Sequence, residues 1–226
     1  MVVKPALQKT LEKWLEPNGL AVLGWFAMVD GPPGLDGHAA VLIGNRGGAM
    51  WQMFQMSAVF ADGEENRLDR WTRDVIGPLA LSLNATAFYP FLNEEQLHHW
   101  PFQKWAMMAL GLKQSPPGLL IDPQYGLWQA FRAALVFDET CEAGAGRSSG
   151  HPCDACQNRP CLFTCPVNAI SGAGFDVAVC RSHLAASQGA TCMNNGCIAR
   201  NACPVGREYA YCEEQQAFHM AALGVA

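Results

Sequence analysis

Eight of the ten cysteines in this 226-residue chain fall between Cys153 and Cys203. They begin with Cys153 and Cys156, continue to Cys161 and reach Cys165-Pro166. They then run through Cys180, Cys192 and Cys197 to a second Cys-Pro pair, Cys203-Pro204. Such a set is suited to thiolate ligation of metal. An iron–sulfur cube takes four thiolates: short spacings turn three of them inward, and a remote cysteine followed by proline completes the set. In two-cluster proteins the cysteine that ends the first run ligates the other cluster. Two Cys-Pro pairs and eight cysteines therefore predict two 4Fe-4S clusters with crossed ligation. Cys153, Cys156, Cys161 and Cys203 are expected on one, and Cys165, Cys180, Cys192 and Cys197 on the other.

Two other chemistries use cysteines in number. Zinc ribbons favour two well-separated C-x2-C knuckles, and only Cys153-Asp154-Ala155-Cys156 has that form. A disulfide framework needs an oxidising compartment, and nothing in the chain points to one. The iron–sulfur reading is preferred to both. Its first run has two more residues before Cys161 than the plainest form, C-x2-C-x2-C-x3-C-P. Cys141 and Cys212 lie outside the pattern and read as small buried residues.

The composition bounds the rest. Half the residues are hydrophobic and 15% are charged, which describes a folded chain with a sizeable core. A formal net charge of -5 leaves no basic footprint for nucleic acid. No apolar run approaches a membrane span, and the N-terminus leads into an amphipathic pattern instead of a secretory core. These features predict a cytoplasmic protein with neither a nucleic-acid nor a membrane partner, in a reducing compartment where free thiols serve metals.

The elements ahead of the cysteines follow from spacing. Leu7, Leu11, Trp14 and Leu15 mark a helix stopped by Pro17-Asn18-Gly19. Leu20 to Val29 and Ala39 to Ile43 read as strands, the second entering a glycine-rich loop from Gly44 to Gly48. That loop lacks the residues of a phosphate-binding fingerprint and reads as a turn. Met50 to Phe60 predicts a helix with Trp51, Met53, Phe54 and Met56 as core. Leu68, Trp71, Val75 and Leu79 predict another, ended or kinked by Pro78. Ala85 to Phe91 reads as a strand and Glu94 to Leu110 as a helix interrupted by Pro101, with His98 and His99 at its surface. Leu119 to Ile121 and Trp128 to Phe137 flank the turn sequence Asp122 to Gly126 and predict a β-hairpin. Gly144 to Gly150 reads as a linker. The division expected is residues 1–142 and residues 143–226. No nucleophile triad or paired carboxylates stand out, so no catalytic residue is assigned.

Two family resemblances add to this reading. The cysteine region resembles the ferredoxin module of epoxyqueuosine reductases and reductive dehalogenases, from Cys153 to Cys203-Pro204. Its second group departs from their C-x2-C-x3-C-P by running Cys192-x4-Cys197-x5-Cys203. The segment Gly118 to Arg132 resembles a stretch of the cobalamin-processing cblC family, whose fold is related to the nitroreductases. Gly118, Ile121, Pro123, Tyr125, Gly126, Trp128 and Arg132 carry that match. It implies that these residues line a corrinoid pocket, with Tyr125 and Arg132 as its polar groups and backbone groups of Gly44 to Gly48 against the corrin amides.

Together the resemblances imply an α+β protein: a nitroreductase-like, cblC-like sheet-and-helix domain followed by a small two-cluster ferredoxin-like module. They imply an iron–sulfur electron-transfer protein, an oxidoreductase that reduces bound cobalamin or activates a corrinoid enzyme. Its partners would be a corrinoid or small-molecule acceptor and an electron donor protein. The alternatives are a two-cluster electron-transport carrier without corrinoid and an FMN-dependent reductase, since nitroreductases bind FMN. Transfer-RNA modification is not expected. The sequence ends at Ala226, where epoxyqueuosine reductases continue into a tRNA-binding region. No equivalent of their acidic proton donor lies between Ala85 and Leu110.

Overall fold

The computed structural model describes residues 5–92, 98–140 and 150–224. In chain order its regular elements begin α1 (Pro5–Leu15), β1 (Ala21–Ala27), β2 (His38–Arg46), α2 (Ala49–Gln55), α3 (Ala58–Ala61), α4 (Arg67–Ser82) and β3 (Thr86–Phe88). Then follow α5 (Phe102–Leu110), β4 (Lys113–Gln114), β5 (Leu120–Ile121), β6 (Gln129–Thr140), β7 (Ile170–Ser171) and β8 (Gly174–Phe175). The chain closes with α6 (Val177–Ala185), α7 (Ala190–Asn195), α8 (Ile198–Asn201) and α9 (Glu213–Gly224). They fall into two compact units, one formed by Met1–Leu112 with Gln129–Ser148, the other by Lys113–Trp128 with Ser149–Ala226.

The first unit is an antiparallel sheet in the order β1-β2-β6-β3, with helices against it. The β2 strand is central and nearly all buried, because Ala40 to Ile43 is a continuous apolar run with neighbours on both edges. Its Val41 faces Trp25 of β1 and Leu135 of β6. Helix α1 buries Leu11 and Leu15, while Trp14, 40% exposed, donates its indole N–H to the Val75 carbonyl of α4 at 2.9 Å. One 3-10 turn and a left-handed Gly19 (φ 64°) end it, as Pro17-Asn18-Gly19 predicts.

Four local expectations change. Gly44, Asn45 and Arg46 are strand residues of β2 paired with Phe131, Ala130 and Gln129, so only Gly47 and Gly48 make the turn into α2. The strand ladder occupies the Gly44–Arg46 stretch that was expected to offer backbone groups to a ligand. The Met50 to Phe60 helix is two helices, because the Ser57 side chain accepts the Phe60 N–H and starts α3 afresh. Met56 is consequently 72% exposed. Helix α4 runs through Pro78 to Ser82, and α5 starts after Pro101. His98 and His99 lie ahead of α5, outside any helix, and residues 93–97 are outside the described residues.

The largest change concerns the expected hairpin. Leu120–Ile121 pairs with Lys113–Gln114 in a two-stranded ribbon, while Gln129–Thr140 pairs with β2 and β3 of the main sheet. The turn between them exists: Asp122 Oδ1 accepts the N–H groups of Gln124 (2.7 Å) and Tyr125 (2.9 Å), and Asp122 and Gly126 form one isolated bridge. Lys113–Trp128 thus clusters with the cysteine unit and not with the residues before it. Cys141 and the linker residues 144–149 lie outside the described residues. Cys212, expected buried, is exposed.

Candidate metal centres

Short turns and short helices position the cysteines. A 3-10 turn at Pro152–Asp154 is capped by His151, whose Nδ1 accepts the Cys153 N–H at 3.1 Å. The other ring nitrogen, Nε2, lies 2.9 Å from the Gln114 carbonyl, so it carries the proton and donates there. The two extra residues before Cys161 are absorbed at Arg159, whose backbone is left-handed (φ 36°), and at Pro160, which opens a second 3-10 turn through Leu162. The Asp176 side chain accepts the Val179 N–H at 3.0 Å and caps α6, which carries Cys180. Cys192 lies in α7, and Cys197 is the residue that opens α8.

The thiols group in two fours. Burial, then Cys203, Cys161 and Cys156, push the Cys153 thiol up to about 11. Burial, then Cys203 and Cys156, raise Cys161. Burial raises Cys203 with a contribution from Cys156, against the lowering effect of the Val205 backbone. These four cysteines line one small cavity of about 20 Å³ together with Ile121, Pro160 and Pro204. In the second four, burial, then Cys197, Cys165 and Cys192, push Cys180 up to about 11. Burial raises Cys192, with Cys197 and Cys165 adding to it and the Ile198 backbone opposing. Cys165, Cys180, Cys192 and Cys197 line a cavity of about 260 Å³, alongside His183, Arg200 and His219. Every thiol that raises Cys153, Cys161 or Cys203 belongs to the first set, and every thiol that raises Cys180 or Cys192 to the second.

Among the described residues no group of three or more His, Cys, Asp or Glu side chains is arranged to hold a metal ion. A mononuclear site and a cluster call for different separations between sulfurs. A mononuclear site brings every sulfur within about 2.3 Å of one atom. A polynuclear cube carries one thiolate at each of four corners, so its ligands surround a volume. Cys165, Cys180, Cys192 and Cys197 surround such a volume, and Cys153, Cys156, Cys161 and Cys203 surround a smaller one.

The segment expected to line a corrinoid pocket is placed beside the first thiol set. Ile121 (1% exposed), Leu127 and Cys203 form one buried cluster, with Cys153 and Val205 packed on it. Gly118 turns with φ 81° next to Phe175, and Gly126 turns with φ 57° against Val205. Tyr125 packs on Tyr209 at 4.6 Å between ring centroids, and Pro123 is exposed. Trp128 is buried beneath Arg200 and Tyr211. Arg132 is separate from these six: it belongs to the sheet unit, is 9% exposed, and donates from Nε to Asn45 Oδ1 at 3.2 Å.

Three residues near the thiols carry no sequence signal of their own. His151 holds the first turn. His183 Nε2 lies 3.9 Å from Cys192 Sγ, and its place one helical turn after Cys180 is the only hint in the sequence. Arg200 lies between the last two cysteines of the pattern.

No protein-family model matches the chain, and no curated protein does. Among solved structures it resembles a C. elegans B12-trafficking protein, CblC, described as a homologue of human MMACHC. The TM-score is 0.59 over 97% of this chain and 92% of that one, at 12% identity. The chain shares the CblC fold. The α+β sheet-and-helix expectation therefore holds, and at this identity the likeness to CblC is one of fold. Among the described residues no helix is long and apolar enough to cross a membrane.

Proposed function

We propose that this chain is an iron–sulfur electron-transfer protein that binds two 4Fe-4S clusters and reduces a corrinoid. Cys153, Cys156, Cys161 and Cys203 would hold one cluster, and Cys165, Cys180, Cys192 and Cys197 the other. The observation that carries the reading is the separation of eight thiols into two mutually interacting fours, in the crossed order that the sequence spacing predicts. The donor chemistry agrees: crowded, half-buried thiols resist ionisation, and a bound metal offsets that cost by displacing their protons. When bound, clusters of this type supply electrons singly at low potential.

The chain's own part is to ligate, to exclude water and to set the local charge. Ile121 and Leu127 cover Cys203, and the paired turns at Gly126 and Gly206 hold that cover in place. A corrinoid is proposed as the acceptor because the fold is that of CblC and because Gly118, Ile121, Pro123, Tyr125, Gly126, Trp128 and Arg132 match the cobalamin-processing segment. Reducing cobalt through Co(II) to Co(I) needs a low-potential donor of single electrons.

A second reading is an electron carrier whose sheet unit only docks a partner. The placement of Gly118–Trp128 in the cysteine unit favours it, since Ile121, Gly126 and Trp128 are committed there to packing.

Anaerobic titration of the reconstituted protein with hydroxocobalamin, followed by visible spectroscopy, separates the two. A corrin spectrum that passes to Co(II) or Co(I) on cluster reduction supports the corrinoid reading. Reducible clusters with no change in the corrin spectrum support the carrier.

A further inference from the structure

Arg200 stands three residues after Cys197 and three before Cys203. Its guanidinium lies 4.4 Å from the ring centroid of Trp128 and 4.8 Å from that of Tyr211, and Nη2 donates to the Leu127 carbonyl at 2.6 Å. Its backbone carbonyl accepts the Cys203 N–H at 3.1 Å. The side chain also lines the cavity of Cys165, Cys180, Cys192 and Cys197.

The physical difficulty is its charge. Among the described residues no carboxylate pairs with Arg200, and its Nε is buried without a hydrogen-bond partner. Burial disfavours its cation, while Tyr211 and Cys197 favour it. A guanidinium stays protonated, so a buried one without an anion is costly. Two aromatic faces, a side-chain hydrogen bond with Tyr211 and the Leu127 carbonyl offset part of that cost. A set of four thiolates around a cluster carries net negative charge and would supply the rest.

We propose that Arg200 is the buried counter-charge of the cluster held by Cys165, Cys180, Cys192 and Cys197, and that it stabilises that cluster's reduced state. The inference rests on the iron–sulfur reading. Reduction would add one electron, delivered by an external reductant, and no proton; the added negative charge would lie near the fixed cation of Arg200, which lines that cavity. Cys197, of the second set, is the thiol whose charge acts on Arg200, and Arg200 lines the cavity of that set and not that of Cys153, Cys156, Cys161 and Cys203, so a cluster there would feel it less.

The test is an EPR-monitored redox titration of the reconstituted full chain, comparing wild type, Arg200→Met and Arg200→Lys. A Cys180→Ser variant assigns each signal to its cysteine set. The expected result for Arg200→Met is at least a tenfold fall in the reduced-to-oxidised ratio of the second cluster at fixed potential. That corresponds to about 59 mV for one electron. The first cluster should shift less, and Arg200→Lys should restore most of the loss. Unchanged potentials in Arg200→Met overturn the inference, as does an Arg200→Lys value as low as that of Arg200→Met. Should Arg200→Met fail to take up iron at the second set, Arg200→Lys decides: near-wild-type potentials support the charge role, and failure of both variants makes Arg200 a packing residue. Wild type that binds no cluster would instead contradict the underlying reading.

Discussion

Gly126 and Gly206 are packed backbone to backbone. Both are left-handed, with φ 57° and 68°. A Cβ on Gly126 would lie 2.0 Å from the Val205 carbonyl oxygen, and one on Gly206 would lie 2.4 Å from the Tyr125 carbonyl carbon. Glycine is required at both for two reasons at once, and the interlock holds the Ile121–Leu127–Cys203 cluster against the first thiol set. Gly126→Ala should cost about 1–2 kcal/mol from the left-handed backbone alone, with the backbone clash adding to it. Chemical denaturation measures the loss, and reconstitution should show weakened iron uptake. A variant as stable as wild type would mean that these turns are not interlocked in solution.

Iron content tests the membership of the two fours. Cys161→Ser and Cys180→Ser should each retain about half of the iron and acid-labile sulfide, since each would remove a ligand from a different one of the two proposed clusters. Combining Cys161→Ser with Cys156→Ser should cost little more than either alone. Combining Cys161→Ser with Cys180→Ser should remove nearly all. Equal losses from the two pairings would contradict the division.

The apo-protein should show a pH signature. Cys153 and Cys180 ionise near pH 11 when folded, against an ordinary 9.0, burial being the largest cause in both. Between these values the unfolded chain releases the two protons first. Their contribution to stability is therefore complete below pH 9 and is lost as pH rises towards 11. After solvent screening of these half-buried thiols the loss amounts to about 1–2 kcal/mol. The Tm of the apo-protein should fall across that window, and less so in Cys153→Ser/Cys180→Ser. The cluster-loaded protein, with its thiols already deprotonated, should lack this component. An identical fall in apo-protein and double variant would remove the thiols as its source.

Much of the fold was legible because local spacing carries it. Leu11 and Leu15 lie on one helical face, the Ala40–Ile43 run has no polar alternation, and the cysteine spacings sort into the same fours that the structure brings together. The Leu119–Phe137 hairpin was not legible. Asp122 satisfies its turn with two backbone N–H bonds whether or not the flanking strands pair, so the turn signals a reversal without saying which sheet each arm joins. The match from Gly118 to Arg132 is contiguous in sequence, yet the chain passes from one unit to the other between Trp128 and Gln129. A linear motif cannot report that division. Arg200 was invisible for another reason: a lone arginine on a four-residue helix has no periodic signature, and its burial depends on Trp128, distant in sequence, and on Tyr211 in the loop before α9.

Tyr125 and Arg132 give a separate check on the proposed corrinoid. Arg132→Met removes the cation beside Asn45 in the sheet unit, which contains none of the eight cysteines of the pattern. Paired with Tyr125→Phe, it should weaken hydroxocobalamin binding roughly tenfold or more while leaving iron content unchanged. Unchanged binding, read by the corrin absorbance, would count against these residues as corrinoid contacts.

The most direct measurement is Mössbauer and EPR spectroscopy of the chain reconstituted anaerobically with iron and sulfide. Two 4Fe-4S clusters per chain, with a magnetically coupled spectrum on full reduction, are predicted. One cluster per chain, or a protein that excludes iron while retaining zinc, would contradict the account.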